Sequence, residues 1–524
     1  MVKGPNAAVA GAVPVKQADA RTVAKGGAIQ VVGQVLNKGL TFLFIAVAVR
    51  AFGTAGYGLY REVFQVLTIA ATVAAGGFPY AALRFIGKAR ARNDPAGARG
   101  AARSSLLATW AISAVVFVGL IVLAPQIAAA FEETAANRAQ LTTLLRLGAM
   151  FVPFYATMQV FRVASTAYKT MVPTVVAGNI VMPSGRLIGA VAAVLAGFAV
   201  GGLVVALVVS AAAGMAVGFW YYRRLLDQRE RVARPTTELG PIVRFALPQG
   251  GVALFSTSSL GLGIIILGLF RSDHEVGLFG IAQPLQLLGN MFLVSIVGIF
   301  NALVVELYEK REMGRLQSMY QTINRWVATF SVPILVALML QPEFFARLLG
   351  GDAGAEAAPL IPIMALGNLF FVGTGPSGNF LSMTGRPLLN FGNATAAVAL
   401  YIGLGVWLVP LHGALGMAIV DAIVTMSVNV ARVVEIKVLV GVQPFGRSFA
   451  KPIVATLAAA ITLILYKLVF DHSFVIDVAG LVIFGLVYLA VLRAMGLDEE
   501  ERSVFEAIKS GFMKRFGRKS SSAR

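Results

Sequence analysis

Residues 28–49 read AIQVVGQVLNKGLTFLFIAVAV, an apolar run that carries Gln30, Gln34, Asn37 and Lys38 and contains no turn signal. About 20 such residues in a helix cross the roughly 30 Å hydrocarbon layer of a bilayer, whereas in a soluble chain the run would be a buried core helix. The rest of the chain decides between the two. Of 524 residues, 57% are hydrophobic and 13% are charged, against about 25% charged in an ordinary soluble domain. Mean hydropathy is +0.78. The chain is therefore expected to be a membrane protein and 28–49 its first helix, since the run is too long for a signal-peptide core and no small-residue cleavage site follows it. With no cysteine, it can hold no disulfide framework.

Further runs of spanning length fall at 57–83, 104–125, 144–166, 173–195, 198–222, 246–270, 277–305, 322–343, 358–383, 388–410, 413–435, 451–470 and 476–494, about fourteen in all. Lipid offers the backbone no hydrogen-bond partners, so continuous runs of this length require helices rather than alternating barrel strands. The expected fold class is an all-α polytopic membrane protein with about 14 transmembrane helices. Lys and Arg test the count. With both termini cytoplasmic, 32 of the 44 fall in inner segments and four in outer loops, namely Arg50, Arg138, Arg271 and Arg347, the asymmetry that membrane insertion imposes. The formal charge of +19 then follows from topology, beside anionic inner-leaflet lipid, and no nucleic-acid partner is expected.

Landmarks recur at an offset of 217 to 219 residues: GLY at 58–60 and GLF at 277–279, Pro125 and Pro342, Lys169 and Arg386. Two six-helix lobes related by an internal repeat, with two C-terminal helices appended, are the economical reading. The expected organisation is a cytoplasmic N-terminal tail at 1–26, an N-lobe at 27–222, a basic cytoplasmic linker at 223–245, a C-lobe at 246–435, a last helix pair at 436–494 and a cytoplasmic tail at 495–524. In that tail Val504, Ile508, Phe512 and Phe516 recur every four residues beside Lys and Arg, the pattern of an amphipathic helix lying on anionic lipid. Repeated bundles of this kind are an architecture of transporters.

Eight cations fall within spans: Lys38, Arg61, Arg146, Arg162, Arg186, Arg325, Arg432 and Lys467. Most lie near a helix end, where a long side chain reaches the headgroups. Lys38 and Arg186 are about 14 Å or more deep at 1.5 Å per residue, and call for a hydrated cavity or a partner. Gln30, Gln34, Asn37 and Thr41 share one face of about 60°, with Lys38 at its edge. On the next helix Arg61, Gln65, Thr68 and Thr72 do the same, and Gln249, Ser256, Ser259, Gln283, Gln286 and Asn290 occupy comparable positions in the second half. Such groups either bond helix to helix or line water; two aligned stripes, each with a cation, favour a polar groove. Only Glu62, Asp421 and Glu435 oppose the eight cations within spans, a bias that attracts anions such as sugar phosphates. Glu435 is placed to pair with Arg432. Asp421, and with it Glu62, is a candidate ion-coupling site, or a structural hydrogen-bonding group.

No nucleotide-binding glycine loop is present, and His274, His412 and His472 lie apart in short outer loops. No enzyme activity, metal site or cofactor is therefore expected. The stretch AFGTAGYGLYREVFQVLTIAATVAAGGFPYAALRFIGKARARND, from Ala51, resembles Wzx-type polysaccharide and oligosaccharide flippases. EVGLFGIAQPLQLLGNMF and MTGRPLLNFGNATAAVALYIGLGVWLVPLHGALGMAIVDA extend the resemblance over roughly residues 25–445. It implies the multidrug/oligosaccharidyl-lipid/polysaccharide (MOP) exporter fold, two lobes around a cationic cavity in the cell membrane, and export of polyprenyl-diphosphate-linked oligosaccharide by alternating access. Lys38, Arg61 and Arg186 suit cavity positions in that family. The acidic sodium site of some relatives has no match, since Asn390, Asn393 and Thr395 offer no carboxylate. Besides that cargo and membrane lipids, a glycosyltransferase or polymerase of the same pathway would be a partner. The alternatives are a multidrug or small-molecule antiporter of the same superfamily, and a membrane polysaccharide polymerase or ligase, although the latter would need a large outer loop.

Overall fold

In the computed structural model, residues 17–131, 134–236, 239–255, 261–471 and 473–496 are described. The amphipathic tail at 497–524, Ser256 and Ser259 lie outside them. Every regular element among the described residues is helical, as burial of an amide-rich chain in lipid demands. Eleven helical stretches are long and apolar enough to cross a membrane. They do not map one to one on the fourteen apolar runs, because Val32–Ala91 and Pro387–Val440 each take in two runs and the run 246–270 is not among the eleven.

The reason lies at two glycines. The helix α1, Gln17–Ala75, would be about 90 Å long as one rod, three times the thickness of a hydrocarbon layer. Gly53, at φ 72° and ψ 174°, breaks it into two. Residues without a side chain reach that left-handed region freely, and others do not. The second long helix, Pro387–Val440, is broken in the same way by Gly413 at φ 56°.

Two compact units divide the chain. The first comprises residues up to Ala48 and Val63–Leu260, and the second Val49–Glu62 and everything from Gly261 onward. In the first unit α1 is followed by α2 (Phe78–Ala91), α3 (Pro95–Phe131), α4 (Ala135–Gly148), α5 (Phe151–Ser165), a π-helical turn Thr174–Val181, α6 (Met182–Leu195), α7 (Val200–Leu225), α8 (Gln228–Val232) and α9 (Leu239–Phe255). The π-turn meets Pro183, which lacks an amide and crowds the preceding turn, so the ladder shifts register there. Helices α6 and α7 cross through small residues: a Cβ on Gly189 would stand 2.4 Å from that of Ala206. Close backbone approach of this kind is how helices pack where lipid removes the hydrophobic drive. At one end of the unit the basic segment 223–236 folds back on α2 and α3. Asp227 and Glu230 form a capping box, and buried Glu230 accepts from Arg90 at 2.5 Å and from the Tyr168 hydroxyl at 3.2 Å.

The second unit contains α10 (Leu262–Phe270), α11 (Asp273–Gln286), α12 (Met291–Glu309), α13 (Met313–Leu340), α14 (Pro342–Ala355), α15 (Leu360–Gly373), α16 (Ser377–Met383), α17 (Pro387–Val440), α18 (Ala450–Val469) and α19 (Phe474–Ala494). Phe300, Tyr320 and Phe380 form a buried aromatic nest, and the Tyr320 hydroxyl is satisfied by the carbonyl of Thr374 at 2.9 Å. Helices α18 and α19 pack on α13, where the Tyr488 hydroxyl donates to Thr329 O at 2.6 Å and Lys467 Nζ to Leu340 O at 2.8 Å. Lys467 thus neutralises the carbonyl end of α13.

Segment 49–62 joins the second unit by a close crossing with α11. A Cβ on Gly58 would stand 1.7 Å from Asp273 O, and one on Gly277 would stand 2.0 Å from Thr54 O. Thr54 and Gly58 precede Asp273 and Gly277 by the same 219 residues, so each member of the pair meets the counterpart of the other. The period also appears in the backbone. Left-handed residues recur at Asn93 and Arg311, Lys169 and Gly385, Gly197 and Gly413, pairs separated by 218, 216 and 216 residues.

Candidate functional site

The expected cavity residues divide between the two units. In the first, Gly33 of α1 lies against Val175 and Asn179 of the π-turn, and Phe44 lies under the guanidinium of Arg186. Gly33 and Phe44 mark one face of α1, and the stripe of Gln30, Gln34, Asn37 and Thr41 is centred about 60° round the helix from it. Part of the stripe bonds to itself, since Thr41 Oγ1 donates to Asn37 Oδ1 at 3.3 Å. Gln30 Oε1 is buried without a hydrogen-bond partner. Lys38, on the far edge, is partly buried and no described residue lies within hydrogen-bonding or ion-pairing reach of it.

Arg186 is held by aromatic faces instead of a carboxylate. Its Cζ lies 5.1 Å from the centre of the Phe44 ring and 5.4 Å from that of Phe64, and its Nε is buried without a hydrogen-bond partner. Ring quadrupoles attract a cation without neutralising it, so the charge stays available to an anion. Asn179, 5% exposed, leaves its Nδ2 without a partner nearby in the same unit. The second stripe behaves differently. Thr68 and Thr72 donate back to the carbonyls of Phe64 and Thr68 at 2.7 and 2.8 Å, and Gln65 is buried. Gln249, partly buried on α9, packs against Gly77 at the entry to α2.

In the second unit Arg61 donates to Gln283 Oε1 at 2.7 Å across the Gly58 crossing, and Glu62 is 2% exposed. Gln286 donates through Nε2 to Asp421 Oδ2 at 3.0 Å, and Tyr401 donates to Oδ1 at 3.2 Å. Asn368 in turn fixes the Gln286 carbonyl at 2.6 Å. Both oxygens of Asp421 are therefore occupied by neighbours. Asn290 Oδ1 is buried without a hydrogen-bond partner. The position of Glu435 differs from the simple pairing its spacing suggests: its Oε2 accepts from Asn393 Nδ2 at 2.6 Å, and no ion pair with Arg432 forms among the described residues. Arg432 instead lines a cavity with residues of α16 and with Asn390, a grouping that sequence spacing could not show because its members are 42 to 55 positions from Arg432.

Among the described residues the chain is an all-helical bundle with helices long and apolar enough to cross a membrane, and it sets cations and amides inside apolar units. The chain belongs to the polysaccharide biosynthesis protein family, whose pattern matches residues 23–304. Among solved structures it is similar to the lipid II flippase MurJ in an inward closed conformation, with a TM-score of 0.71 at 11% identity over 88% of this chain and 97% of that one. It is also similar to an inward-facing multidrug resistance MATE family transporter of the MOP superfamily, with a TM-score of 0.62 at 15% identity over 76% of this chain and 92% of that one. A MOP superfamily transporter from Pyrococcus furiosus gives 0.53 at 16% identity, over 79% and 94%. These likenesses are of fold. Comparison with curated proteins found no match.

Proposed function

We propose that the protein flips polyprenyl-diphosphate-linked oligosaccharide from the cytoplasmic to the outer leaflet of the cell membrane for surface polysaccharide biosynthesis, by alternating access, with both termini in the cytoplasm. The observation that carries this reading is the state of Lys38 and Arg186: two partly buried cations in one unit, neither paired with a carboxylate among the described residues. Even a partly buried charge without a partner loses some of its hydration, and a diphosphate that visits these cations would offset that loss. Arg61, with Gln283 as its acceptor, supplies a further cation on the cargo's route.

The bilayer opposes only the head group, because the polyprenyl tail can stay in lipid beside the protein. With the cytoplasm negative, an outward-moving anion gains about 2.3 kcal/mol per charge per 100 mV, so two charges supply roughly 4–5 kcal/mol. The membrane potential is then the driving force, and a proton or sodium antiport through Asp421 or Glu62 is an addition to it. Disrupting the gene in its host should accumulate the lipid-linked oligosaccharide in the inner leaflet and remove the surface polymer. Complementation with Lys38→Ala or Arg186→Ala, inserted at normal levels, should restore less than a tenth of the wild-type flux. Normal flux in both variants would remove these residues from the mechanism, and unchanged lipid-linked pools on disruption would favour export of a drug or other small molecule.

A further inference from the structure

The second unit contains a cavity of about 270 Å³ between α12, α15, α16 and α17. This is the lower edge of the size range of small-molecule pockets, about 300 Å³ upward, and so suits one sugar ring. Three of its lining residues carry a buried polar atom with no hydrogen-bond partner: Ser377 Oγ, Asn390 Oδ1 and Arg432 Nε. Ser377 itself is 1% exposed. Folded proteins leave few such groups unmet, and a cluster of them needs an explanation.

The surroundings fix what each atom can accept. Asn390 Nδ2 already donates to Ser382 Oγ at 3.1 Å, and Ser382 donates on to Gly378 O at 3.1 Å. The Asn390 amide is thereby oriented, and its free oxygen requires an O–H or N–H donor. Arg432 Nε requires an acceptor; Glu435, whose Oε2 accepts from Asn393, makes no direct ion pair with the guanidinium and acts on it only at longer range. The Ser377 hydroxyl can serve in either sense. Both fixed groups converge on Gly378, where a methyl would stand 3.1 Å from Asn390 Oδ1 and 3.2 Å from Arg432 Cζ. A side chain at that position would fill the space that these groups face. Asn379, partly buried, adds a second amide to the wall.

We infer that this cavity is a binding site for a hydroxylated phosphate ester of one sugar's size, the phosphate on Arg432 and ring hydroxyls on Asn390, Ser377 and Asn379. Guanidinium forks match phosphate oxygens, and no neutral sugar would use that charge. The ligand chemistry is shared by free sugar phosphates and by the sugar-phosphate end of a lipid-linked saccharide. The site involves neither Lys38 nor Arg186, so it stands whether or not the cargo assignment does.

The test is calorimetric titration of the purified full-length protein in lipid nanodiscs with glucose 1-phosphate, glucose and inorganic phosphate separately. Glucose 1-phosphate should bind at least tenfold more tightly than either fragment. Arg432→Gln, Gly378→Val and the milder Asn379→Ala should each weaken it, the first two by tenfold or more, with melting temperatures checked in parallel. Lys38→Ala should leave this affinity unchanged while lowering flux, which separates the two sites. Competition by farnesyl-diphosphate-linked glucose would assign the site to the lipid-linked form, and lack of competition to the soluble form. Failure of glucose 1-phosphate to bind, or wild-type affinity in Arg432→Gln together with Asn379→Ala, would overturn the inference and leave the cavity filled by water.

Discussion

Substitution of Gly58 or Gly277 by alanine probes the crossing on which residues 49–62 join the second unit. A Cβ at 58 falls 1.7 Å from Asp273 O and one at 277 falls 2.0 Å from Thr54 O. Ordinary contact begins at 3.4 Å, and because each obstructing atom is backbone, no rotamer change can clear it. The helices must part by well over 1 Å. Forced repacking typically costs about 1–3 kcal/mol, and loss of the close approach puts each single variant at the upper end, about 3 kcal/mol. Both clashes lie at one crossing, so the displacement that accommodates the first methyl also accommodates much of the second. The double variant should therefore fall short of additivity by at least about 1 kcal/mol, within the range seen for residues in contact. The assay is reversible unfolding in mixed micelles, with Gly119→Ala as the control because no atom lies within 4 Å of its added methyl. That control should match wild type or gain about 0.5–1 kcal/mol from helix propensity. If Gly58→Ala unfolded like Gly119→Ala, or if the two costs simply added, the shared crossing would be refuted.

Glu230→Ala should lower the stability of the first unit by about 2 kcal/mol, the loss being limited because its partner Arg90 is about one-third exposed, at 35%; Glu230→Gln, which keeps an acceptor for Asp227 N, should recover part of it in the same thermal scan. Asp421→Leu should strand the donors of Gln286 and Tyr401 and cost about 1–3 kcal/mol for each group left unsatisfied, while Asp421→Asn should cost less because it keeps an acceptor. If flux in Asp421→Asn still responded to an imposed proton or sodium gradient, the residue would be structural and coupling would reside elsewhere.

The helical character of the chain was legible because lipid makes hydrophobic run length a direct measure of helix length. The breaks were less so. The run 57–83 reads as one span, yet α1 ends at Ala75 and α2 starts at Phe78, since Gly76 at φ 50° turns the chain in between. Conversely, Leu411 and His412 read as a loop between two runs, but helix continues through them to the break at Gly413. Spacing alone puts each of the two polar stripes of α1 on one helix face. It does not show which members are satisfied locally: Thr68 and Thr72 of the second stripe bond to their own helix, a choice periodicity cannot see. Arg432 looked like a cation near a helix end with Glu435 as its partner. Its actual setting depends on Gly378 and Asn390, brought to it by helices whose packing no local pattern encodes.

The Gly58 crossing also speaks to ancestry. Thr54 and Gly58 meet Asp273 and Gly277 in the reciprocal manner of an isologous interface, in which two copies of one surface recognise each other. A half-length ancestor with such a segment would have paired with itself, at a strength set by its concentration. Fusion makes the pairing intramolecular and permanent, and it removes the obligation for the two copies to stay alike. Arg61 and Gly280, also 219 positions apart, are an example of that freedom: the arginine stem runs about 3.2 Å from where a Gly280 side chain would begin. Two arginines could not share that place in a symmetric dimer. One chain with two divergent halves can set a charge on one side and the room for it on the other.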